Sequence, residues 1–240
     1  MKTYLNHEIL EAIDPKTYRA QSPFPWVNPH GLLHEEAYHS LLDAMPEPSL
    51  FMPTFGRSRK NGQKSHDRFT LKYRDGLLLP GHWEEFIKEL RGETYRNFLG
   101  KLLPSRSFEL DFFWFYTPNG CSISPHCDHK NKVGAHLFYF NTEQDWNSDW
   151  GGETLILDDG GQIERKSAPG FDAFTKSIPS RAIGNYSLIF SRTPNSWHGM
   201  QEIHCPEDSM RKVFMVAVKQ VSSLSRISAF FCIGRSSADY

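Results

Sequence analysis

Cysteine is scarce in this chain: Cys121, Cys127, Cys205 and Cys232 are the only four in 240 residues, and no two make a C-x-x-C pair. A chain of this length with so few cysteines has no disulfide framework, and a reducing cytoplasm is the expected compartment. Long apolar runs are missing as well, none approaching the roughly 18 residues that a membrane span requires. The opening stretch, Met1 to Glu8, lacks the apolar core of a secretory signal. Nor is there an excess of charge of either sign. The formal net charge is −1, so nothing draws the whole molecule to nucleic acid or to a membrane surface. No internal repeat and no linker divides the chain, and one domain over 1–240 is expected.

Aromatic residues, by contrast, are plentiful. They make up 14% of the chain, with 18 Phe and 6 Trp, enough to fill a sizeable core. Ala37, Tyr38, Leu41, Leu42 and Met45 recur at helical spacing, and Pro46 and Pro48 end the pattern. Trp83, Phe86, Ile87 and Leu90 predict a second helix, and Tyr95, Phe98, Leu99 and Leu102 a third, with Gly92 between them. From Phe108 the texture changes to short aromatic or β-branched runs separated by Gly, Pro, Asn and Asp. Strands are expected at 108–116, 135–141, 153–158, 173–177, 187–190 and 211–220, with an extended piece near Pro25 to Val27. Many short strands joined by turns predict a sandwich or barrel of jelly-roll type behind N-terminal helices. Residues 1–107 would then form helical support, 108–220 the core and 221–240 a peripheral tail.

The chemistry concentrates in Ser124-Pro125-His126-Cys127-Asp128. An imidazole and a carboxylate two residues apart point to the same side of an extended strand, so both can reach one ion. This is the only H-x-D among 11 histidines. A second imidazole from elsewhere would complete a 2-His-1-carboxylate face, which leaves coordination positions open and suits non-heme Fe(II). His198, after the 187–190 strand and a short turn, is the favoured third ligand. His129 would face away from Asp128 on a regular strand, and His204 sits beside Cys205-Pro206 in a loop. Cys127, between the ligands, is expected to point away.

Tyr116, Gly120, His126, Asp128, the Tyr139 and Asn141 strand end, Asp145-Trp146, Gly151-Gly152-Glu153, His198 and Arg211 occur in an order that points further. The stretch from Phe113 to Lys219 resembles the Fe(II)- and 2-oxoglutarate-dependent oxygenases, in particular the prolyl 4-hydroxylase-like superfamily. The resemblance covers somewhat under half of the chain. It implies a mainly β, cupin-like double-stranded β-helix with Fe(II) bound by His126, Asp128 and His198 at its open end. It also implies 2-oxoglutarate and O2 as co-substrates, with ascorbate a candidate auxiliary reductant. Oxidative decarboxylation to succinate and CO2 would drive hydroxylation of a small-molecule or amino-acid-type substrate. Arg211 would hold the far carboxylate of 2-oxoglutarate, since a guanidinium matches a carboxylate fork, with help from the Tyr139 phenol and with Tyr116 at the metal-proximal end. Arg211 falls a few residues later than the family places its basic residue, and Lys212 is one register slip away. Zinc would accept the same ligands but would leave that arginine idle. The alternative on the same fold is a catalytically silent metal-binding sensor or interaction module.

One further stretch stands out. Phe55 to Asp75 carries seven Lys and Arg against two Asp. It reads as a polar loop with a short strand at Phe69 to Leu71. Charge runs are usually solvated faces. The functional alternative is a lid hinged at Gly56, Gly62 and Gly76 that draws an anionic substrate to the barrel mouth.

Overall fold

Helices come first in the chain. In the computed structural model, which describes residues 3–221, α1 (His7–Ala12), α2 (Pro15–Ala20), α3 (Glu35–Asp43), α4 (Gly81–Arg91) and α5 (Glu93–Leu102) precede the long strands. Local chemistry sets their ends. The Asn6 side chain accepts from the amides of Glu8 and Ile9, and Asp14 caps α2 with Pro15 in its first turn. Gly92 closes α4, where an added Cβ would meet the Glu89 carbonyl oxygen at 2.9 Å. The faces of α4 and α5 that the spacing predicts are the buried ones: Trp83, Phe86, Ile87 and Leu90, then Tyr95, Phe98, Leu99 and Leu102. No helix among the described residues is long and apolar enough to cross a membrane.

The strands are β1 (Trp26–Val27), β2 (Met52–Pro53), β3 (Phe69–Lys72), β4 (Phe108–Pro118), β5 (Ile123–His126), β6 (Lys132–Tyr139), β7 (Leu155–Asp158), β8 (Lys176–Pro179), β9 (Ser187–Ser191), β10 (His198–Met200) and β11 (Met210–Gln220). They form two antiparallel sheets, a large one in the order β1-β9-β6-β11-β4-β3-β2 and a small one in the order β5-β10-β7-β8. From β4 onward the chain passes repeatedly between the sheets, the winding of a jelly roll, or double-stranded β-helix.

The large sheet is covered on both faces. Its outer face meets the helices through Trp114, Phe138 and Phe214, which pack with Trp83 and Phe86, and Phe112 stacks on Phe214 in the same layer. Its inner face meets the small sheet through Ala135, Tyr139, Leu188, Phe190 and Val213, against Ile156 of β7. Burying each such aromatic stabilises the fold by about 1.5–3 kcal/mol.

Several sequence expectations need correction. Residues 173–177 are not one strand. A 3-10 turn, Phe171–Ala173, comes first, and pairing with β7 begins only at Lys176, opposite Asp158. The short strand expected at Phe69 to Leu71 is present as β3, one residue longer, beside β4 in the large sheet. The extended segment assumed through Asp128 ends at His126, as β5, and β10, a three-residue strand that periodicity cannot find, was not foreseen. The expected tail lies outside the described residues apart from Val221.

Candidate metal centre

β5 and β10 are adjacent in the small sheet, with His126 and His198 directly opposite one another and their ring centroids 4.3 Å apart. Asp128 lies two residues past the end of β5, in a loop rather than on a continuing strand. The carboxylate reaches the imidazoles because that loop is tied down. Its Asp128 carbonyl accepts from Arg165 Nη2 (2.9 Å) and Arg192 Nε (3.4 Å). One donor atom from each of His126, Asp128 and His198 falls within 4.8 Å of the others, and all three residues are buried.

The hydrogen bonds behind these side chains fix which atoms are free. His126 Nδ1 is 2.9 Å from the Ser124 carbonyl and His198 Nδ1 is 3.0 Å from the Ser196 carbonyl. A carbonyl only accepts, so each Nδ1 carries the proton and each Nε2 presents a lone pair. Burial pushes both imidazoles below their usual pKa, so they stand neutral as a metal ligand must. Asp128 Oδ1 accepts from Lys132 Nζ at 2.7 Å, whereas Oδ2 is buried with no partner. Burial alone would raise this carboxyl, but Lys132, bonded to Oδ1, and the Arg68 charge outweigh it and lower it. Two Nε2 lone pairs and an orphaned carboxylate oxygen are a donor set that fits a divalent cation.

Arg211 opens into the same cavity of about 270 Å³. It is buried on the inward face of β11 with Val213 and Met215, while Phe214 and Val216 face the helices. Its Nε donates to the Gly152 carbonyl and Nη2 to Thr154 Oγ1 (3.1 Å). Gly152, at φ 97°, is where the backbone turns against it, and a Cβ there would stand 3.2 Å from Arg211 Cδ. These two bonds leave other N–H donors of the guanidinium for Tyr139 beside it and for the cavity.

The remaining candidates separate clearly. Tyr139 lies beside Arg211, whose guanidinium carbon is 5.4 Å from its ring centroid, but the phenol is already engaged with Thr154 Oγ1 (3.0 Å) and Ser180 Oγ (3.1 Å). It holds the neighbours of the arginine. Tyr116 is on the wrong face for a site residue. Strand alternation sends Phe115 to the cavity, and Tyr116 to the outer side, where it stacks on Phe51 and donates to the Pro46 carbonyl (2.8 Å). Lys212 also faces outward and pairs with Asp145 at 2.7 Å. His129 is exposed and bonded to Asn131, and His204 is exposed near Glu202. Cys127 gives its thiol to the Pro194 carbonyl, and burial raises it to about 12.

Among the polar residues lining the cavity, His66, Lys132 and Thr154 had no site role in the sequence reading, and Arg68 figured only as one charge of the basic run. Lys132 had a faint signal, a cation four residues from Asp128. The His66 ring lies 4.5 Å from that of His126 and is pushed down to about 2 by burial, Arg59 and Arg68. The basic segment crosses the cavity mouth rather than hanging free. Ser124 Oγ donates to the Lys64 carbonyl and Gln63 Nε2 to the Ser167 carbonyl. Arg57, Lys60 and Lys64 are exposed, while Arg59 and Arg68 line the cavity.

The same architecture is found in solved structures. A Pseudomonas putida prolyl-4-hydroxylase superposes with a TM-score of 0.58 at 14% identity, over 89% of this chain and 100% of that one. The chain shares its fold with the prolyl 4-hydroxylases. A Trichoplax adhaerens prolyl hydroxylase in complex with a hypoxia inducible factor peptide has a TM-score of 0.57 at 12% identity, covering 93% of this chain and 91% of that one. The 2-oxoglutarate-dependent carbocyclase SnoK from nogalamycin biosynthesis has 0.55 at 11%, covering 92% and 87%. One prolyl 4-hydroxylase-type frame thus carries different reactions. No family model and no curated protein matches the sequence.

Proposed function

We propose that this protein is an Fe(II)- and 2-oxoglutarate-dependent dioxygenase that hydroxylates a small-molecule or amino-acid-type substrate. The observation that carries the reading is the state of the three donors. Both histidines are held as the Nδ1–H tautomer by backbone carbonyls, and Asp128 has one oxygen anchored by Lys132 and the other free. His126 Nε2, His198 Nε2 and Asp128 Oδ2 would hold Fe(II). The metal with 2-oxoglutarate would supply the oxidation, consuming O2 and releasing succinate and CO2.

The chain's own part is positioning and exclusion. Arg211 keeps donors for the distal carboxylate of 2-oxoglutarate, and Thr154 adds a hydroxyl beside it. Tyr139 and Ser180 hold Thr154 in place. Phe115, Leu137, Phe190, Val213 and Met215 line the walls and limit water. The carbonyls of Ser124 and Ser196 keep the imidazole protons on the side away from the metal, so neither ring must lose one to bind.

Succinate formation from 2-oxoglutarate in air, with added Fe(II), tests the reading. His198→Ala should abolish both metal retention and succinate formation, whereas His204→Ala should match wild type. Arg211→Met should retain metal but need roughly a hundredfold more 2-oxoglutarate or beyond, because removing one partner of a buried ion pair costs about 3–5 kcal/mol. Metal binding with no 2-oxoglutarate turnover would instead favour the silent metal-binding module.

A further inference from the structure

Arg59 and Arg68 enter the metal cavity from the segment between β2 and β3, and the roles assigned above use neither. The Arg68 guanidinium carbon lies 3.6 Å from the centroid of the Phe115 ring, so an aromatic face covers one side of its plane. Its edge donors remain available, because a stacked guanidinium still presents its fork. Arg59 has a buried Nε with no partner. Among the described residues no carboxylate lies within ion-pair distance of either side chain. The one negative group that acts on both is Asp128, which is already paired with Lys132 at 2.7 Å.

This concentration of charge is unfavourable as it stands. Arg68 is pushed down to about 9 by burial and by the repulsion of Arg211 and Arg59. Buried charges are normally paired, and guanidiniums left without counter-ions cost stability. A cavity that keeps them is shaped for anions that arrive from outside. Lys132 answers Asp128, and Arg211 answers the distal carboxylate of 2-oxoglutarate. Two guanidiniums are left over, facing the remaining space. A planar fork matches an oxyanion with two parallel donors.

Resting on the oxygenase reading, we propose that Arg59 and Arg68 bind an oxyanion on the substrate to be oxidised, so that the enzyme acts on acidic small molecules carrying a carboxylate or phosphate. The His66 ring, against His126 and 3.3 Å from Ser124 Oγ, lines the same cavity as both arginines and the metal ligands. Exposed Arg57, Lys60 and Lys64 add positive potential at the mouth, which raises the local concentration of anions over a Debye length of about 10 Å at 0.1 M salt.

Tryptophan-fluorescence titration of the full chain, loaded with Mn(II) and saturating 2-oxoglutarate under nitrogen, tests this with acetate and inorganic phosphate as probes. At least one probe should bind saturably to wild type. Arg59→Gln and Arg68→Gln should each weaken it by roughly tenfold or more, the loss of a charge-assisted hydrogen bond, with partial recovery in Arg68→Lys. The 2-oxoglutarate affinity of these variants should stay close to wild type. Preference for phosphate assigns a phosphoryl group, and preference for acetate a carboxylate. Absence of saturable binding of either probe, or equal binding in both glutamine variants, overturns the inference. So does a loss of 2-oxoglutarate binding in those variants, which would assign the pair to the co-substrate and leave the oxygenase reading intact. If wild type fails to take up Mn(II) and 2-oxoglutarate, it is the oxygenase reading that falls, and the probes titrated against metal-free protein still judge the two arginines.

Discussion

Toward the helices β11 presents Phe214, Val216 and Val218, and toward the small sheet it presents Arg211, Val213 and Met215. Both faces are buried, yet they differ in kind. On the helix side the Phe214 ring lies 4.9 Å from Trp83, 5.0 Å from Trp114 and 5.7 Å from Phe86. That layer contains aromatic contacts within reach of favourable edge and offset geometries, each contributing about 0.5–1.5 kcal/mol beyond area burial. On the cavity side guanidiniums, imidazoles and a carboxylate stand in a space with fewer partners than they could use. The outer layer stabilises; the inner layer holds groups at a cost that the outer layer offsets.

The sharpest way to break that division is Phe214→Ala. Truncating a fully buried phenylalanine in a packed aromatic layer should cost about 3–5 kcal/mol, read as a lower urea midpoint at constant slope. Mn(II) affinity of the fraction that remains folded should be unchanged, since Phe214 faces away from the ligands. A parallel fall in metal affinity would show that the two layers are coupled.

Lys132 probes the inner layer alone. Its ammonium anchors Asp128 Oδ1 but also repels a divalent cation, and the two effects oppose one another. Anchoring should win. Lys132→Met should lower metal affinity by about 10–100-fold, the usual effect of removing a partner that orients a ligand. Lys132→Gln, which keeps a donor without the charge, should fall between. Tighter metal binding in Lys132→Met, measured by competition with a chelator, would mean that repulsion dominates.

The double burial of the large sheet also decides what the sequence could reveal. The helices α4 and α5 were legible because each buries one stripe, so Trp83, Phe86, Ile87 and Leu90 repeat at the helical period. β4 and β11 were legible as strands from their aromatic and β-branched content, but their faces were not. With apolar neighbours on both sides the alternation disappears, which is why Tyr116 was placed on the cavity side when Phe115 faces it. His126, Asp128 and His198 could be grouped because residue type and spacing carry ligand chemistry directly. β5 and β10, which bring them together, have four and three residues, too few for any period to show. Arg59 and Arg68 lay in view as a charge run, but only the path of the chain over the cavity separates them from exposed Arg57 and Lys60.

Which of Arg211 and Lys212 turns inward is reinforced from outside the barrel, by Asp145. Its Oδ2 accepts from Lys212 Nζ at 2.7 Å, while Oδ1 accepts from the Thr142 amide at 2.6 Å, and Asn141 Oδ1 takes the Lys212 amide. This cluster fastens Lys212 to the outer face and so leaves Arg211 to the cavity. Burial would raise the Asp145 carboxyl, but the Lys212 and Thr142 hydrogen bonds prevail and lower it. A carboxyl whose pKa is depressed on folding contributes stability above its unfolded value, near 3.9, and loses that contribution as pH falls through the folded value. About a third of each side chain is exposed, so solvent screens the pair and its worth is modest. Asp145→Asn should therefore cost about 0.5–1 kcal/mol near neutral pH, the smallest effect predicted here, and the gap to wild type should close as pH drops below about 4. Urea unfolding across that range is the measurement. A gap that stays constant with pH would assign the loss to the loop hydrogen bonds rather than to the charge, and Arg211 would then owe its orientation to strand register alone.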